Sequence, residues 1–354
     1  MSITLLVRPA RAQDALFESC RQVDVPAHVD NPRVRFIIEP ELRNLCGQVV
    51  TTMARVQPVL GIVFSGGNPV LGTASALGSR SGVPRISITG RVNVAVAEVP
   101  DLIDHNVGRL TDDTQAIQAL ETSRYPVPSV QVDLAMGVLD GFSITPLIGG
   151  VGAIDLLGSL SFVPAVRDFG LQDVVLNVGG GVRVGLIEGG ALVPGVSISG
   201  MYRRLSDITF GNMQQGDAAQ VRTNLNTWSA RAVVSKGLPM LDLAAGAGID
   251  RYSGDVEFGW ALDCSIDECL DANGGQPLIV SGNAVGRLNT TAWTLFGNVG
   301  VNLALLKIVG EVGYQRLTDP HRLDPHIDVQ TGRLLDDELG GGNIFTSLGL
   351  RLAL

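Results

Sequence analysis

Long apolar runs are missing from this chain of 354 residues. No stretch reaches the roughly 18 apolar residues that a transmembrane helix needs, which argues against membrane crossing by helices. Charge is scarce too: 17% of the residues are Asp, Glu, Lys or Arg, against about 25% in soluble domains. The net charge of −9 excludes the broad basic surface that a nucleic-acid-binding protein shows. The chain is therefore apolar, but its hydrophobicity is spread over short segments.

Motifs for catalysis and for nucleotide binding are also lacking. There is no G-x-S-x-G sequence and no recognisable Ser-His-Asp order. The glycine-rich stretch at 177–185 departs from a dinucleotide-binding loop because Val184 stands where the third glycine is required. We therefore predict a protein that is not an enzyme and that carries no cofactor.

Two of the four histidines lie in a doubled Asp-Pro-His sequence, at His321 and His326. Carboxylate and imidazole groups at this spacing are weak candidates for a divalent-cation site or for a hydrolase at the rim of the molecule. Each proline, however, favours an extended, turn-prone chain over a single ligand face. Loop chemistry is the preferred interpretation, and we predict no metal.

What the chain does contain is persistent alternation of apolar with small or polar residues from Pro84 onward. Segments of this kind have the length and period of strands that cross a bilayer at a tilt. Aromatic residues make up only 5% of the chain, and we place five of them in girdles on the lipid face: Tyr202, Trp228, Tyr252, Trp293 and Tyr314. The ten predicted strands are 85–97, 129–140, 152–163, 173–187, 191–205, 222–236, 240–252, 290–303, 306–317 and 343–354.

The connections between these strands alternate in length. Those after the second, fourth, sixth and eighth strands are short or modest, at 141–151, 188–190, 237–239 and 304–305. Those after the first, third, fifth, seventh and ninth are mostly longer, at 98–128, 164–172, 206–221, 253–289 and 318–342. Short turns at one end and long loops at the other are typical of an antiparallel up-and-down barrel with its long loops outside the cell. We predict an all-β transmembrane barrel of about ten strands, with a range of roughly 8–14.

The face opposite the apolar one carries charges of both signs. In a barrel these side chains line the lumen, where they either pair across strands or coat a selective path for solutes. The predicted lumen-lining residues are Arg85, Arg91, Asp133, Asp155, Arg183, Arg203, Arg231, Asp242, Asp250, Lys307, Glu311 and Arg351.

The last eight residues, from Ser347 to Leu354, alternate up to the carboxyl terminus and carry four leucines on one face. The stretch resembles the carboxyl-terminal assembly signal of bacterial outer-membrane barrels, with Ser347, Gly349, Leu352 and Leu354 in the characteristic positions; many such signals end in Phe or Trp instead. The resemblance implies a location in the bacterial outer membrane, with the lipid bilayer and the barrel-assembly machinery as partners. The oligomeric state is left open.

The amino-terminal part differs from the rest. The small-x-small sequence at Ala10 and Ala12 predicts a remnant of a signal peptide over 1–12, with the mature chain beginning near Gln13. Residues 13–83 form a predicted periplasmic or lumen-plugging segment with one helix at 39–57 and a short strand at 59–64. Its Gly- and Asn-rich stretch, 65–82, resembles the hatch of hydrophobic-compound (long-chain fatty-acid) channels. Residues 84–354 are the predicted barrel.

The four cysteines form two local pairs, Cys20 with Cys46 and Cys264 with Cys269. An even count in a chain with the features of an exported protein predicts two disulfides rather than a zinc site. For function, the first hypothesis is passive transport of small or hydrophobic solutes through a narrow charged lumen. The alternatives are a non-transporting barrel with an envelope-structural or surface-adhesion role, and a hydrolase at the outer rim.

Overall fold

The computed structural model describes residues 31–80, 83–100, 109–110, 122–144, 149–164, 174–190, 193–215, 217, 219–303, 306–318 and 342–353. Several predicted features lie outside these ranges: the signal-peptide remnant at 1–12, Cys20, His321, His326 and Leu354. The strands are β1 (Ser79–Arg80), β2 (Val83–Pro84), β3 (Ile86–Pro100), β4 (Arg109–Leu110), β5 (Thr122–Leu139), β6 (Ile154–Val163), β7 (Val175–Ile187), β8 (Gly195–Phe210), β9 (Ala219–Gly237), β10 (Leu241–Cys264), β11 (Leu278–Leu303), β12 (Leu306–Leu317) and β13 (Asn343–Ala353).

Ten of these strands, β3 and β5 to β13, form one antiparallel sheet in chain order. The pairing of β13 with β3 completes the ring, so the sheet has no open edge. Outside the ring, β1 and β2 make a small antiparallel pair, and β4 adds parallel to the end of β10. The predicted all-β up-and-down barrel of ten strands is confirmed.

Side chains along the ring alternate between a buried interior and an apolar exterior. The exterior exposes large apolar side chains around the ring, among them Val92, Leu134, Leu160, Val178, Ile198, Val234, Leu243, Val299, Ile308 and Leu350. A bilayer accepts such a surface because the strands of a closed ring pair their main-chain groups with each other and leave a mostly apolar surface facing lipid. The chain is therefore a transmembrane β-barrel, and its place is the bacterial outer membrane.

Strands β10 and β11 continue well past the lipid-facing belt. The sequence predicted a loop over 253–289, and this prediction is wrong, because β10 runs to Cys264 and β11 starts at Leu278. Beyond this belt the inner face of β10 becomes apolar and its outer face becomes charged. Val256 and Phe258 are buried on the inner side, whereas Asp255 and Glu257 are exposed outside. We call residues 253–289 the tower; at its tip lies the short helix α2 (Asp267–Ala272).

A helix of 34 residues, α1 (Pro32–Ser65), precedes the barrel. It begins with Asn31, whose side chain accepts a hydrogen bond from the amide of Arg33 at 3.0 Å, and Pro32 takes the first helical position, where its missing N–H is harmless. The helix is longer than the predicted 39–57, and the predicted strand at 59–64 is wrong because those residues are helical. Every helical residue from 56 to 65 is buried, as expected where a helix is surrounded by protein on all sides.

α1 lies inside the ring. It packs against β3, β5, β9, β10, β11 and β13, which stand on different sides of the barrel, and it also contacts α2 at the tip of the tower. Its carboxyl end is fixed midway up β3, where Arg91 donates to the carbonyl of Ser65. The helix therefore runs from the tower down to the middle of the barrel. No helix within the described residues is long and apolar enough to span a membrane.

One aromatic residue was placed on the wrong face. The sequence put Tyr252 in the lipid-facing girdle, but its side chain is fully buried inside the barrel. The reason is its register: it stands two residues from Asp250, and residues two apart in a strand share a face. Tyr202 and Trp228 do face outward and contact each other at 4.9 Å between ring centroids, as do Trp293 and Tyr314 at 5.6 Å.

Candidate functional site

The interior of the barrel is the candidate site, and it has two zones. The zone nearer the tower is apolar. There, inward side chains from the ring and the tower pack around α1, which contributes Val34, Ile38, Leu42, Val49, Met53, Leu60 and Phe64. The partners on the strands include Leu205, Phe210, Val221, Phe258, Trp260, Val280, Leu288 and Phe345. This zone is a hydrophobic core in which the helix takes the place of a solvent-filled channel.

Gly61 allows a close approach between α1 and the barrel wall. A Cβ atom at this position would overlap the ring of Tyr252. The hydroxyl of Tyr252 accepts a hydrogen bond from Nε2 of Gln315 at 2.6 Å, which fixes the ring against the helix. Glycine is unfavourable inside a helix, so its presence here is explained by this contact.

The carboxyl end of α1 meets polar groups in the second zone. Nη2 of Arg91 donates to the Ser65 carbonyl at 3.0 Å, while Asn93 Nδ2 and Ser129 Oγ donate to the Val63 carbonyl at 2.9 and 2.7 Å. The last carbonyls of a helix have no partners within the helix and carry partial negative charge. A buried guanidinium and two polar side chains therefore satisfy two of the last carbonyls of this helix.

Residues 66–78, which we call the lumen segment, continue from the helix toward the other end of the barrel. Glu311 accepts hydrogen bonds from the amides of Gly67 and Asn68, at 2.9 and 2.8 Å. The Asn68 side chain donates to Oδ1 of Asn298 at 2.8 Å, and Asn298 donates to Glu311 at 2.7 Å. A buried carboxylate thus binds the main chain of the lumen segment directly.

Other inward side chains hold the rest of the lumen segment. Nε of Arg231 donates to the Gly67 carbonyl at 3.0 Å, and the amide of Ala74 donates to Ser235 Oγ at 2.8 Å. Near the end of the segment, the amides of Leu77 and Gly78 donate to Asp155 at distances between 3.0 and 3.2 Å. The segment has no regular secondary structure, and these contacts replace the main-chain pairing it lacks. The sequence predicts an irregular chain over 65–82; Ser65, which ends α1, and Ser79–Arg80, which form β1, depart from this prediction.

Most of the predicted lumen-lining residues meet one another in ion pairs. Three pairs are buried: Arg91 with Asp133 at 2.9 Å, Arg183 with Asp155 at 2.6 Å and Arg231 with Asp250 at 2.8 Å. A fourth, Lys307 with Asp242, is partly exposed. Asp250 also accepts from Thr294 Oγ1 at 2.8 Å. These charges neutralise each other, and Arg91, Asp155 and Arg231 also bind the main chain of the lumen segment.

The remaining predicted residues have different surroundings. Arg203 is buried and donates to Ser229 Oγ at 3.1 Å, and Arg351 donates to Ser87 Oγ at 2.8 Å and to the Leu71 carbonyl at 3.4 Å. Arg85 is exposed just ahead of β3 and donates to the Leu77 carbonyl at 3.2 Å, so it does not share the buried interior.

The predicted lumen-lining residues are all charged, so the uncharged polar residues of the interior were not among them. These uncharged residues are Asn93, Ser129, Ser235, Thr294, Asn298 and Gln315, all buried on the inner face. The available signal was their register. Asn93, Ser129, Ser235 and Gln315 stand on the same face of their strands as a predicted charge, and Thr294 and Asn298 stand opposite the lipid-facing Leu295 and Val299 of β11. A polar residue at such a position is expected to bind whatever fills the barrel.

In the described residues of the carboxyl-terminal strand, the side chains point to the predicted faces. Leu348 and Leu350 are exposed, whereas Ser347 and Gly349 are buried; Ser347 donates to Glu311 at 3.2 Å. A role of this strand in assembly stays a prediction.

The disulfide Cys264–Cys269 is present and joins β10 to α2. Cys46 is also disulfide-bonded, and its predicted partner lies outside the described residues. In the part of the chain that the structure describes, no group of three or more His, Cys, Asp or Glu side chains gathers to hold a metal.

No protein-family model and no curated protein matches the chain. Among solved structures, the outer membrane protease OmpT from Escherichia coli is 9% identical, with 77% of this chain and 96% of that chain covered and a TM-score of 0.33. The translocator domain of autotransporter NalP from Neisseria meningitidis is 10% identical over 78% of this chain and 90% of that one, with a TM-score of 0.35. Ail, the attachment invasion locus protein of Yersinia pestis, is 9% identical over 77% and 97%, with a TM-score of 0.27. These barrels differ in function, and likeness this weak transfers none of their functions to this chain.

Proposed function

We propose that this protein is a self-sealed outer-membrane barrel with an envelope-structural and surface-presenting role, and not an open channel or an enzyme. One observation carries the proposal: the chain's own residues 32–78 occupy the interior, α1 in the apolar zone and the lumen segment in the polar one. The tower, which rises beyond the lipid-facing belt, is the part that the protein presents at the cell surface.

Removing α1 from the apolar zone would require a large free energy. Transferring one large apolar side chain from a core to water costs about 1.5–3 kcal/mol. α1 buries many such side chains along its length, so moving the intact helix out of the barrel costs on the order of 20 kcal/mol. Thermal motion does not supply such an energy, and the resting barrel is therefore expected to stay closed.

Passive transport of small or hydrophobic solutes is the competing proposal. It requires a path past residues 32–78. Displacing the lumen segment alone would not create one, because α1 would still fill the zone nearer the tower. A transport role would thus need a partner or a force that withdraws both parts.

Conductance across a planar bilayer tests the proposal. We expect the refolded protein to insert without producing steady current steps, while a general porin in the same bilayer confirms that the assay detects an open pore. Uptake of an apolar fluorescent probe by cells, with and without the barrel, covers solutes that carry no current. Steady single-channel steps or barrel-dependent uptake of the probe would overturn the sealed barrel and favour transport.

A further inference from the structure

The two ends of the barrel are distinguishable by their connections. β3 begins and β13 ends at the end that carries the shorter connections, such as those between β7 and β8 and between β9 and β10. The tower rises from the opposite end. In outer-membrane barrels the short turns face the periplasm and the long connections face outward. β3 therefore starts at the periplasmic end and the tower lies outside the cell.

α1 is directed the opposite way to β3. Its carboxyl end is bound by Arg91, which stands on β3 between the lipid-facing residues Ile88 and Val96 and hence in the middle of the belt. A helix of 34 residues is about 50 Å long at about 1.5 Å per residue. Half of the hydrocarbon layer is only about 15 Å thick. The amino end of α1 must therefore project past the lipid on the outer side.

The contacts of the helix agree with this direction. α1 touches α2, which is at the tip of the tower, and only its amino-terminal half can reach there. In that half Val34 and Ile38 are fully buried, whereas the side chain of Phe36 is 81% exposed. One face of the first turns is thus covered by protein and the other is open to the outside.

We propose that this barrel carries the amino end of α1 across the outer membrane and holds it at the cell surface. The barrel ring closes around α1 through the β13–β3 pairing, so the amino end of the helix reaches this side before or during closure. The proposal concerns where the amino end of α1 lies and does not depend on whether the barrel conducts solutes.

Single cysteines at exposed positions test the proposal on the full chain. Phe36→Cys marks the amino end of α1, and Phe142→Cys is the matched control in the β5–β6 turn, where the native side chain is 64% exposed. Val285→Cys, on the outer face of the tower and 60% exposed in the native protein, marks the extracellular side. The described cysteines are all in disulfides, so background labelling is expected to be low.

Intact cells are treated with a maleimide on a polymer too large to pass through porins. We expect Phe36→Cys and Val285→Cys to be labelled in intact cells, and Phe142→Cys only after the outer membrane is permeabilised. Labelling of Phe36→Cys only after permeabilisation would overturn the proposal. So would labelling of Phe142→Cys in intact cells, because it would reverse the orientation of the barrel.

An epitope inserted between Asp24 and Val25 extends the test to the chain ahead of α1. The same epitope between Asn273 and Gly274 at the tip of the tower, and between Gly189 and Gly190 in the β7–β8 turn, provides the outer and inner references. Antibody binding to intact cells should follow the tower reference. An amino-terminal epitope that behaves like the one in the turn would contradict surface presentation.

Discussion

Individual residues show why some positions of this interior were predictable and others were not. The charged residues of the lumen were predictable from the alternation along each strand. The inward position of Tyr252 was predictable in the same way, because Tyr252 shares a face with Asp250. Gly61 could not be interpreted from sequence, since a glycine within a helical pattern indicates only a weak point. Its role depends on a side chain almost two hundred positions away that occupies the space of its missing Cβ.

Substituting Gly61 by valine is expected to disturb the seal. The added side chain would overlap the Tyr252 ring, and overpacking of this kind costs about 1–3 kcal/mol. The temperature at which unboiled protein loses its folded mobility on an SDS gel should fall. Gly90→Val is the control, because a Cβ at Gly90 meets nothing within 4 Å. Equal behaviour of the two variants would contradict the packing of α1 against Tyr252.

Two aspartates on β10 allow a comparison of buried and exposed ion pairs. Asp250→Ala leaves the buried Arg231 without its carboxylate, and breaking a buried pair in this way costs about 3–5 kcal/mol. Asp255→Ala removes an exposed pair with Arg287 and an exposed hydrogen bond with Asn224, for which little effect is expected. Denaturant titration of the barrel in detergent measures both. A similar loss of stability in the two variants would show that the interior does not depend on its ion pairs.

The exposed pair also has a defined pH dependence. The hydrogen bond from Arg287 holds the pKa of Asp255 below its ordinary value of 3.8. A lowered folded-state pKa means that the contribution of this pair is fully present above the unfolded value and is lost as the pH falls through the folded one. The pair is therefore intact at neutral pH and weakens only in acid below about pH 4.

Strands and helices were predictable where a single sequence pattern determined them. The number of strands follows from alternation and from the lengths of the connections. The upper parts of β10 and β11 were not predicted because the lipid-facing apolar residues end below them, although Val256, Phe258, Trp260 and Leu262 continue the same period on the inner face. α1 was predicted too short because Pro58 and Gly61 disfavour a helix in water, whereas inside the barrel apolar packing outweighs that preference.

Shortening the tower tests whether it covers the amino half of α1. Asp255 and Arg287 are register partners, so deleting residues 256–286 and joining the two with Asn-Gly should form a tight hairpin. The barrel is expected to keep its heat-modifiable mobility, because the lipid-facing belt is unchanged. Limited digestion with trypsin should then cut α1 near Arg35 and Arg43. Resistance equal to that of the unshortened protein would mean that the tower does not shield the helix.

For the molecule as a whole, composition and pattern predicted a membrane barrel but not what fills it. A polar inner face indicates a lumen. The same pattern is expected whether the lumen holds water or protein, so it does not distinguish the two. Only the three-dimensional arrangement shows that Glu311, Asp155 and Arg231 bind the main chain of the lumen segment. Main-chain partners carry no sequence signature, since every residue except proline offers the same amide and carbonyl.

The direction of α1 has a mechanical consequence. The described chain begins with Asn31 at the outer end of the barrel and finishes with Ala353 at the periplasmic end. Between them, α1 and the lumen segment lie inside the ring that β3 and β5 to β13 of the same chain form. A pull on the outer end would draw the helix against the hydrogen bonds of Arg91 and Glu311, and then against the base of β3. Tension would be borne by the protein wall instead of by lipid, so the outer end of α1 is anchored to the cell by a closed ring of strands.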